Sequence, residues 1–285
     1  MQKIIVAFFL TFLFFSSCAA FSQEFGLVLS GGGGKGAYEV GVWKALTEYG
    51  LAQKVTVISG TSVGGLNAGL FAVAPMSQIE NIWLNLVPEY LNMDYELISE
   101  DGLLWIMNQV CFSRIQRKNS YPKVWVTATR ARFTGLKLIT KWFFGIDYSH
   151  RFLLNEEDSE DEIRRKLLAT SAFPILTKSV RLSDGYKYID GGASDNCPII
   201  PIIENYNPAQ IFVVYLEYSP NHRRSREYPD YSIVDFIPSE GMGWIGGMLD
   251  FSYSEIKRKM ALGYSDTVQI LKNSGLKPVS SYWFE

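Results

Sequence analysis

Gly60-Thr61-Ser62-Val63-Gly64 is a G-x-S-x-G pentapeptide, and it follows the β-branched stretch Val57-Ile58-Ser59. A serine at the centre of such a run stands on a sharp strand-to-helix turn, its hydroxyl exposed as a nucleophile for an acyl group. The same five residues also describe an ordinary tight turn, since glycine opens backbone conformations closed to other residues. A second segment, Gly31-Gly32-Gly33-Gly34-Lys35-Gly36, opens a helix at Ala37. Its bare amides, added to the orphan donors and positive dipole end of a helix start, suit an anion. That anion is either a bound phosphate or the oxyanion of a tetrahedral acyl intermediate. A third segment, Asp190-Gly191-Gly192, puts a carboxylate where Tyr186-Lys187-Tyr188-Ile189 ends. In a parallel sheet that edge is where functional groups collect, although an Asx turn or helix cap would use the same residues.

The glycine run fails as a Walker loop, because Lys35 is followed by Gly36 and not by the Ser or Thr that holds magnesium. Gly31, Gly33 and Gly36 do satisfy G-x-G-x-x-G. The acidic residue a dinucleotide ribose requires is nevertheless missing from Val55 to Ser59, and Glu48 lies inside the preceding helix. An elbow serine placed directly after the second strand favours the oxyanion. The serine also needs a base, and the chain has only two histidines, His150 and His222. The order Ser62, Asp190, His222 matches an α/β-hydrolase triad, while the polar setting Ser219-Pro220-Asn221-His222-Arg223-Arg224-Ser225 suits an exposed loop histidine. If Asp190 meets Ser62 directly, the two form a dyad in which the carboxylate takes the serine proton and returns it to the leaving alcohol. Such a base demands fixed geometry and strong oxyanion stabilisation.

The elements that must position these groups alternate between strand and helix. Phe25 to Ser30 reads as a buried strand, Ala37 to Tyr49 as a helix with Ala37, Val40, Trp43 and Leu46 on one face, and Val55 to Ser59 as a second strand. That order predicts an α/β fold of three layers, α/β/α, with a mostly parallel central sheet. Further helices are expected over Met76 to Leu86, Leu103 to Val110, Glu162 to Thr170 and Ser252 to Leu271. Strands are expected at Val124 to Thr129, Leu136 to Phe144, Tyr186 to Asp190 and Gln210 to Glu217, and Asn155 to Glu162 reads as solvated loop. The apolar, glycine-rich run within 236–251 fits either an acyl-chain lining or membrane-touching lid or core packing on the last helix. Trp142-Phe143-Phe144 poses the same choice and leans to core.

Lys3 followed by the apolar run Ile4 to Phe15 has the shape of an export signal and is short for a bilayer span. Two processing routes compete: cleavage after Ser22, which is favoured, and lipidation at Cys18 in a lipobox-like Phe15-Ser16-Ser17-Cys18. A signal over residues 1–22 leaves 23–285, enough for one well-buried α/β domain. A formal charge of -2 gives no support for nucleic-acid binding or for strong attraction to anionic membranes. Cys111 and Cys197 could pair after export or remain buried thiols.

The three motifs, in this order and spacing, resemble the patatin-like phospholipases, including bacterial members. Gly31-Gly32-Gly33-Gly34-Lys35-Gly36 is similar to that family's oxyanion loop, Gly60-Thr61-Ser62-Val63-Gly64 to its nucleophile elbow, and Asp190-Gly191-Gly192 to the motif holding its dyad aspartate. Ala169-Thr170-Ser171-Ala172-Phe173-Pro174 looks like its small-residue helix end before the hairpin that leads to the aspartate. The resemblance runs from about Phe25 to about Leu271. It implies a three-layer fold and hydrolysis of phospholipid, lysophospholipid or other fatty-acyl esters by Ser62 and Asp190. Amides near Gly32, Gly33 and Gly34 would hold the oxyanion, and Lys35 would stabilise the loop. It also implies no cofactor and no metal, although scattered acidic residues leave calcium open. The partner it implies is a lipid or membrane-surface substrate, and the N-terminal signal would place that encounter outside the bacterial cytoplasm, in the periplasm or beyond.

Overall fold

A computed structural model describes residues 24–91, 99–116, 122–131, 148–174 and 177–279. The export signal, Cys18 and the strand expected at Leu136 to Phe144 lie outside the described residues. Eight strands form one sheet: β1 (Phe25–Leu29), β2 (Val55–Thr61), β3 (Lys123–Arg130), β4 (Ser149–Leu153), β5 (Val180–Arg181), β6 (Lys187–Asp190), β7 (Gln210–Val214) and β8 (Ile233–Phe236). The pairings run β5-β6-β3-β2-β1-β7-β8, with β4 also on β3. The β2-β1-β7-β8 block and the β2-β3 pair are parallel, whereas β4 and β6 run antiparallel to β3 and β5 antiparallel to β6.

The helices are α1 (Ala37–Glu48), α2 (Val63–Val73), α3 (Met76–Asn81), α4 (Val87–Leu91), α5 (Glu100–Asn108), α6 (Glu160–Thr170), α7 (Ile200–Asn205), α8 (Arg224–Glu227), α9 (Ile245–Leu249) and α10 (Tyr253–Asn273). Alternate residues of the central strands feed two cores, as the two-residue period of a strand requires. Leu27, Leu29, Ile58, Val124, Val126, Phe212 and Val214 face the larger one, with side chains from α1, α2, α6 and α10. Val28, Val57, Ile211 and Val213 face the smaller one, covered by Ile199 and Ile202 at α7. Both faces of the sheet are therefore closed by helices, as the alternation predicts.

Some local expectations change. The helix expected over Met76 to Leu86 continues to Leu91, passing through one wide π turn at Ile82–Leu86. The stretch 155–162 is not all solvated loop. Asn155 is buried and its Oδ1 accepts the Val124 amide at 2.7 Å, while α6 starts at Glu160 because Ser159 caps it by accepting the Glu162 amide. Asp190 does end a strand, but one that runs against the parallel block. The strands β4, β5 and β8 and the short helices α7 to α9 carried too few periodic residues to be expected.

Helix α1 is buried nearly all round because α10 lies along it. The two backbones touch: a Cβ on Gly41 would overlap the Met260 carbonyl, and one on Gly263 would overlap the Tyr38 carbonyl. Tyr38 Oη donates to Asp266 at 3.1 Å and Tyr264 Oη to Glu48 at 2.6 Å, closing the crossing on both sides. Gly41→Ala or Gly263→Ala should each cost roughly 1–3 kcal/mol of stability through overpacking, read as a lower urea midpoint. Gly241→Ala, where an added methyl meets nothing within 4 Å, should stay within about 0.5 kcal/mol of the unaltered chain.

Candidate functional site

Ser62 has φ 55° and ψ −128°, and it is the one non-glycine residue at positive φ among those described. A side chain rarely tolerates that backbone, so its neighbours must hold it. A Cβ on Gly60 would overlap the Gly64 carbonyl, and one on Gly64 the Leu29 carbonyl at the end of β1, so neither position has room for one. The Ser62 amide donates to Thr170 Oγ1 at 2.9 Å, and that hydroxyl in turn donates to the Thr127 carbonyl. The turn ends β2 and begins α2, so the hydroxyl stands at the carboxyl edge of the parallel block.

Ser62 Oγ donates to Asp190 Oδ2 at 2.6 Å across 128 residues of chain. Asp190 is held in its turn: its Oδ1 accepts the Gly192 amide at 2.7 Å, and its own amide donates to the Ala172 carbonyl at 2.8 Å. The end of α6 and the residues just after it thus grip both groups, Thr170 by the serine amide and Ala172 by the aspartate amide. The Asp190 carboxyl is buried, and burial pushes its pKa up to about 6 against the pull of Ser62 and Gly192. His222 is placed elsewhere. Its side chain is 82% exposed and its Nδ1 pairs with Glu227 at 3.0 Å. His150 lies on β4, its ring against Phe152 and Tyr188.

The glycine run forms a single 3₁₀ turn, Gly33–Gly36, leading into α1. Gly31 is fastened by Asn196, whose carbonyl accepts the Gly31 amide at 3.1 Å and whose Nδ2 donates to the Gly31 carbonyl at 3.2 Å. The Lys35 amide donates to Gly32 at 3.2 Å. The amides of Gly32, Gly33 and Gly34 take no acceptor among the described residues. Lys35 is buried, and desolvation lowers its pKa despite the nearby Glu217 carboxylate.

Three groups that sequence reasoning passed over complete the setting. Asn196 joins the glycine run to the Asp190 turn, and its own loop is braced by Arg224, which bonds Asp195 at 3.0 Å and the Cys197 carbonyl at 2.7 Å. Asn67 on α2 donates to the Gly36 carbonyl at 3.1 Å and to the Glu39 carboxyl at 2.7 Å, and it accepts Trp83 Nε1 at 3.0 Å. Glu39 is fully buried, and burial holds its pKa well above the usual carboxylate range. An acid on the all-apolar side of α1 was the one available signal. Cys111 and Cys197 are both free thiols with no disulfide between them, and Cys111 is exposed where the alternative expectation is a buried thiol.

A cavity of about 400 Å³ opens from Ser62, Asp190 and Gly33. Its wall is apolar, built from Leu66 and Leu70 of α2, Ile82 and Trp83 of the π turn, and Ile106 and Met107 of α5, with α9 closing one side. No group of three or more His, Cys, Asp or Glu side chains converges among the described residues. Nor is any described helix long and apolar enough to cross a membrane.

The arrangement has relatives. The family profile described as "Patatin-like phospholipase" matches residues 27–203, more than half of the chain. A lysophospholipase NTE1 from Kluyveromyces lactis is 45% identical over 185 residues, covering 62% of this chain and 12% of that protein. A patatin-like phospholipase domain-containing protein from Caenorhabditis elegans, ZK370.4, is 52% identical over 50 residues, which is 18% of this chain and 4% of its own. The chain thus spans only a small part of these relatives. Among solved structures, VipD from Legionella pneumophila superposes with a TM-score of 0.52 at 15% identity, over 88% of this chain and 67% of its own, a likeness of fold alone. The profile match, reaching from β1 through the elbow and the Asp190 turn to α7, shows that the chain belongs to the patatin-like phospholipase family.

Proposed function

We propose that the chain hydrolyses fatty-acyl esters of phospholipids or related lipids through an acyl-enzyme on Ser62, with Asp190 as the base. One observation carries the reading: the Ser62 hydroxyl donates to a buried carboxylate at the mouth of an apolar cavity. As Ser62 Oγ attacks the ester carbonyl carbon, its proton passes to Asp190. The developing oxyanion takes the unused amides of the glycine run, chiefly Gly32, Gly33 and Gly34. Collapse of the intermediate expels the alcohol, which receives the proton from Asp190, and leaves the acyl group on Ser62. A water deprotonated by Asp190 then attacks the acyl carbonyl, and the fatty acid departs as Ser62 recovers its proton.

The raised pKa of Asp190 supports a base, since a carboxylate near 6 is a better proton acceptor than an ordinary one. An apolar cavity of about 150 Å³ takes a benzene ring, so by the same proportion about 400 Å³ suits a single acyl chain of roughly 16 carbons. The lysophospholipase name of the yeast relative is in keeping with one chain at a time. The triad reading lacks support, because both Asp190 oxygens are engaged by Ser62 and Gly192 while His222 pairs with Glu227. We also infer export, on the strength of Lys3 and the apolar run Ile4 to Phe15, with cleavage after Ser22 favoured over lipidation at Cys18.

Ser62→Ala and Asp190→Asn should each lower kcat/KM on a long-chain acyl ester by about a thousandfold or more, while His222→Ala retains full activity. Undiminished turnover in either of the first two sinks the dyad. Lipid binding without covalent labelling of Ser62 by an active-serine phosphonate would instead mark a silent lipid-binding protein.

Because Asp190 must be ionised to accept the proton, kcat/KM should rise with pH through about 6. Stability should move the other way. Between about 4 and about 6 the folded chain keeps a proton that the unfolded chain has released, so stability falls as pH rises across that window. At pH 8 Asp190→Asn, which avoids the buried charge, should therefore be more stable than the unaltered chain by on the order of 2–3 kcal/mol. Thermal unfolding of the two proteins at pH 8 and below pH 4 checks this, with the gap closing at the acid end.

A further inference from the structure

Trp244 is 83% exposed, more than any other large apolar side chain among the described residues. It stands just before α9, in the run Gly241-Met242-Gly243-Trp244-Ile245-Gly246-Gly247-Met248-Leu249, which carries no charge. The helix it leads into is part of the cavity: Ile245, Met248 and Leu249 line it, and Phe251 follows. Ile245 does both, lining the cavity while 55% exposed, and Phe173 is likewise exposed and lining. The cavity mouth therefore has an apolar rim, and Trp244 projects beyond it.

The segment bearing this tip is fastened and not loose. The buried Lys259 of α10 donates from Nζ to the Gly247 carbonyl at 2.9 Å and to the Asp250 carbonyl at 3.1 Å. The carbonyls of Met248 and Asp250 lie so close on Gly33 and Gly34 that neither glycine has room for a Cβ. Trp244 is thus joined by a few backbone contacts to the loop whose amides are unused.

We infer that Trp244 docks this chain on a lipid–water interface, setting the cavity mouth against the surface from which an acyl chain leaves. The inference rests on the lipid-ester reading above for the identity of what enters the cavity, though not for the docking itself. An indole with an apolar body and one N–H settles preferentially at the interfacial zone of a bilayer. An acyl chain drawn through a rim seated on lipid never crosses open water, whereas a protein partner covering the same rim would seal the route. The uncharged run and a formal charge of -2 make the attraction apolar, so it should be indifferent to salt.

The test uses vesicles of zwitterionic phosphatidylcholine, sedimented with the full chain at low and high salt. The unaltered protein should partition onto them equally at both. Trp244→Ser should lose at least about tenfold of that partitioning, and Trp244→Phe should keep most of it. Trp244→Ser should hydrolyse a water-soluble short-chain ester at the unaltered rate, which shows an intact fold, yet lose hydrolysis of vesicle lipid in step with binding. Equal partitioning by Trp244→Ser, no binding by the unaltered chain, or binding that collapses in high salt would each overturn the docking role. Should no ester be hydrolysed at all while Trp244→Ser still loses vesicle binding, the docking stands and the hydrolase reading falls.

Discussion

Strand β3 gives one of its edges to two partners, and the rest of the site hangs on where they meet. Its other edge is taken by β4 over Trp125–Thr129, so β2, paired through Thr127, and β6, paired from Ala128, must share the remaining one. The two therefore run toward each other in line and stop end to end, Thr61 of β2 opposite Thr127 and Asp190 of β6 opposite Ala128. One residue further on β2 is Ser62. A parallel strand and an antiparallel one arriving on the same edge bring a hydroxyl and a carboxylate together without either lying on a long loop. Gly191 packs against the Thr127 carbonyl and Thr61 at the junction, where a Cβ would hold the strand ends apart.

Around that junction polar groups are buried for different ends. Asp190 spends its acceptors on Ser62 and Gly192, which is too little to offset desolvation, so its pKa stays raised. Glu39, which accepts the Asn67 side-chain amide, sits deeper still, and burial raises its pKa as well. Through Asn67 it ties the end of the glycine run, the helix that starts at the serine and the Trp83 cavity wall into one unit. Such a network is strong only when its members are satisfied.

Much of this could be read from the chain alone, and the reason is locality. The elbow, the glycine run and the Asp190 turn are each short runs whose glycines and chemistry are contiguous, and the order of β1, α1, β2 and α2 follows from periodicity over neighbouring residues. What was illegible is what depends on pairing at a distance. Nothing in Lys187–Asp190 announces that β6 runs against the parallel block, because strand direction is set by the partner and not by the strand's own residues. Ser149–Leu153, with His150 and Arg151 among five residues, carries no alternation strong enough to read as β4. Asn67, Thr170 and Asn196 are ordinary polar residues until folding sets them beside Gly36, Ser62 and Gly31. Asp190 was found for a partly mistaken reason, since the edge it stands on belongs to β2 and only its own strand's end lies there.

The glycine crossing of α1 and α10 has a consequence for the order of assembly. Contacts such as Tyr38 with Asp266 close a loop of some 228 residues, and pairings so remote in the chain form late and slowly. The helix that carries the glycine run on its leading end can be braced by α10 only once the chain through residue 273 has left the ribosome. A nascent chain halted before residue 253 holds the serine, the glycine run and Asp190, yet lacks the helix that braces α1. Completion of the site is thereby deferred until α10 has been made, and its parts are not brought together piecemeal as each is synthesised.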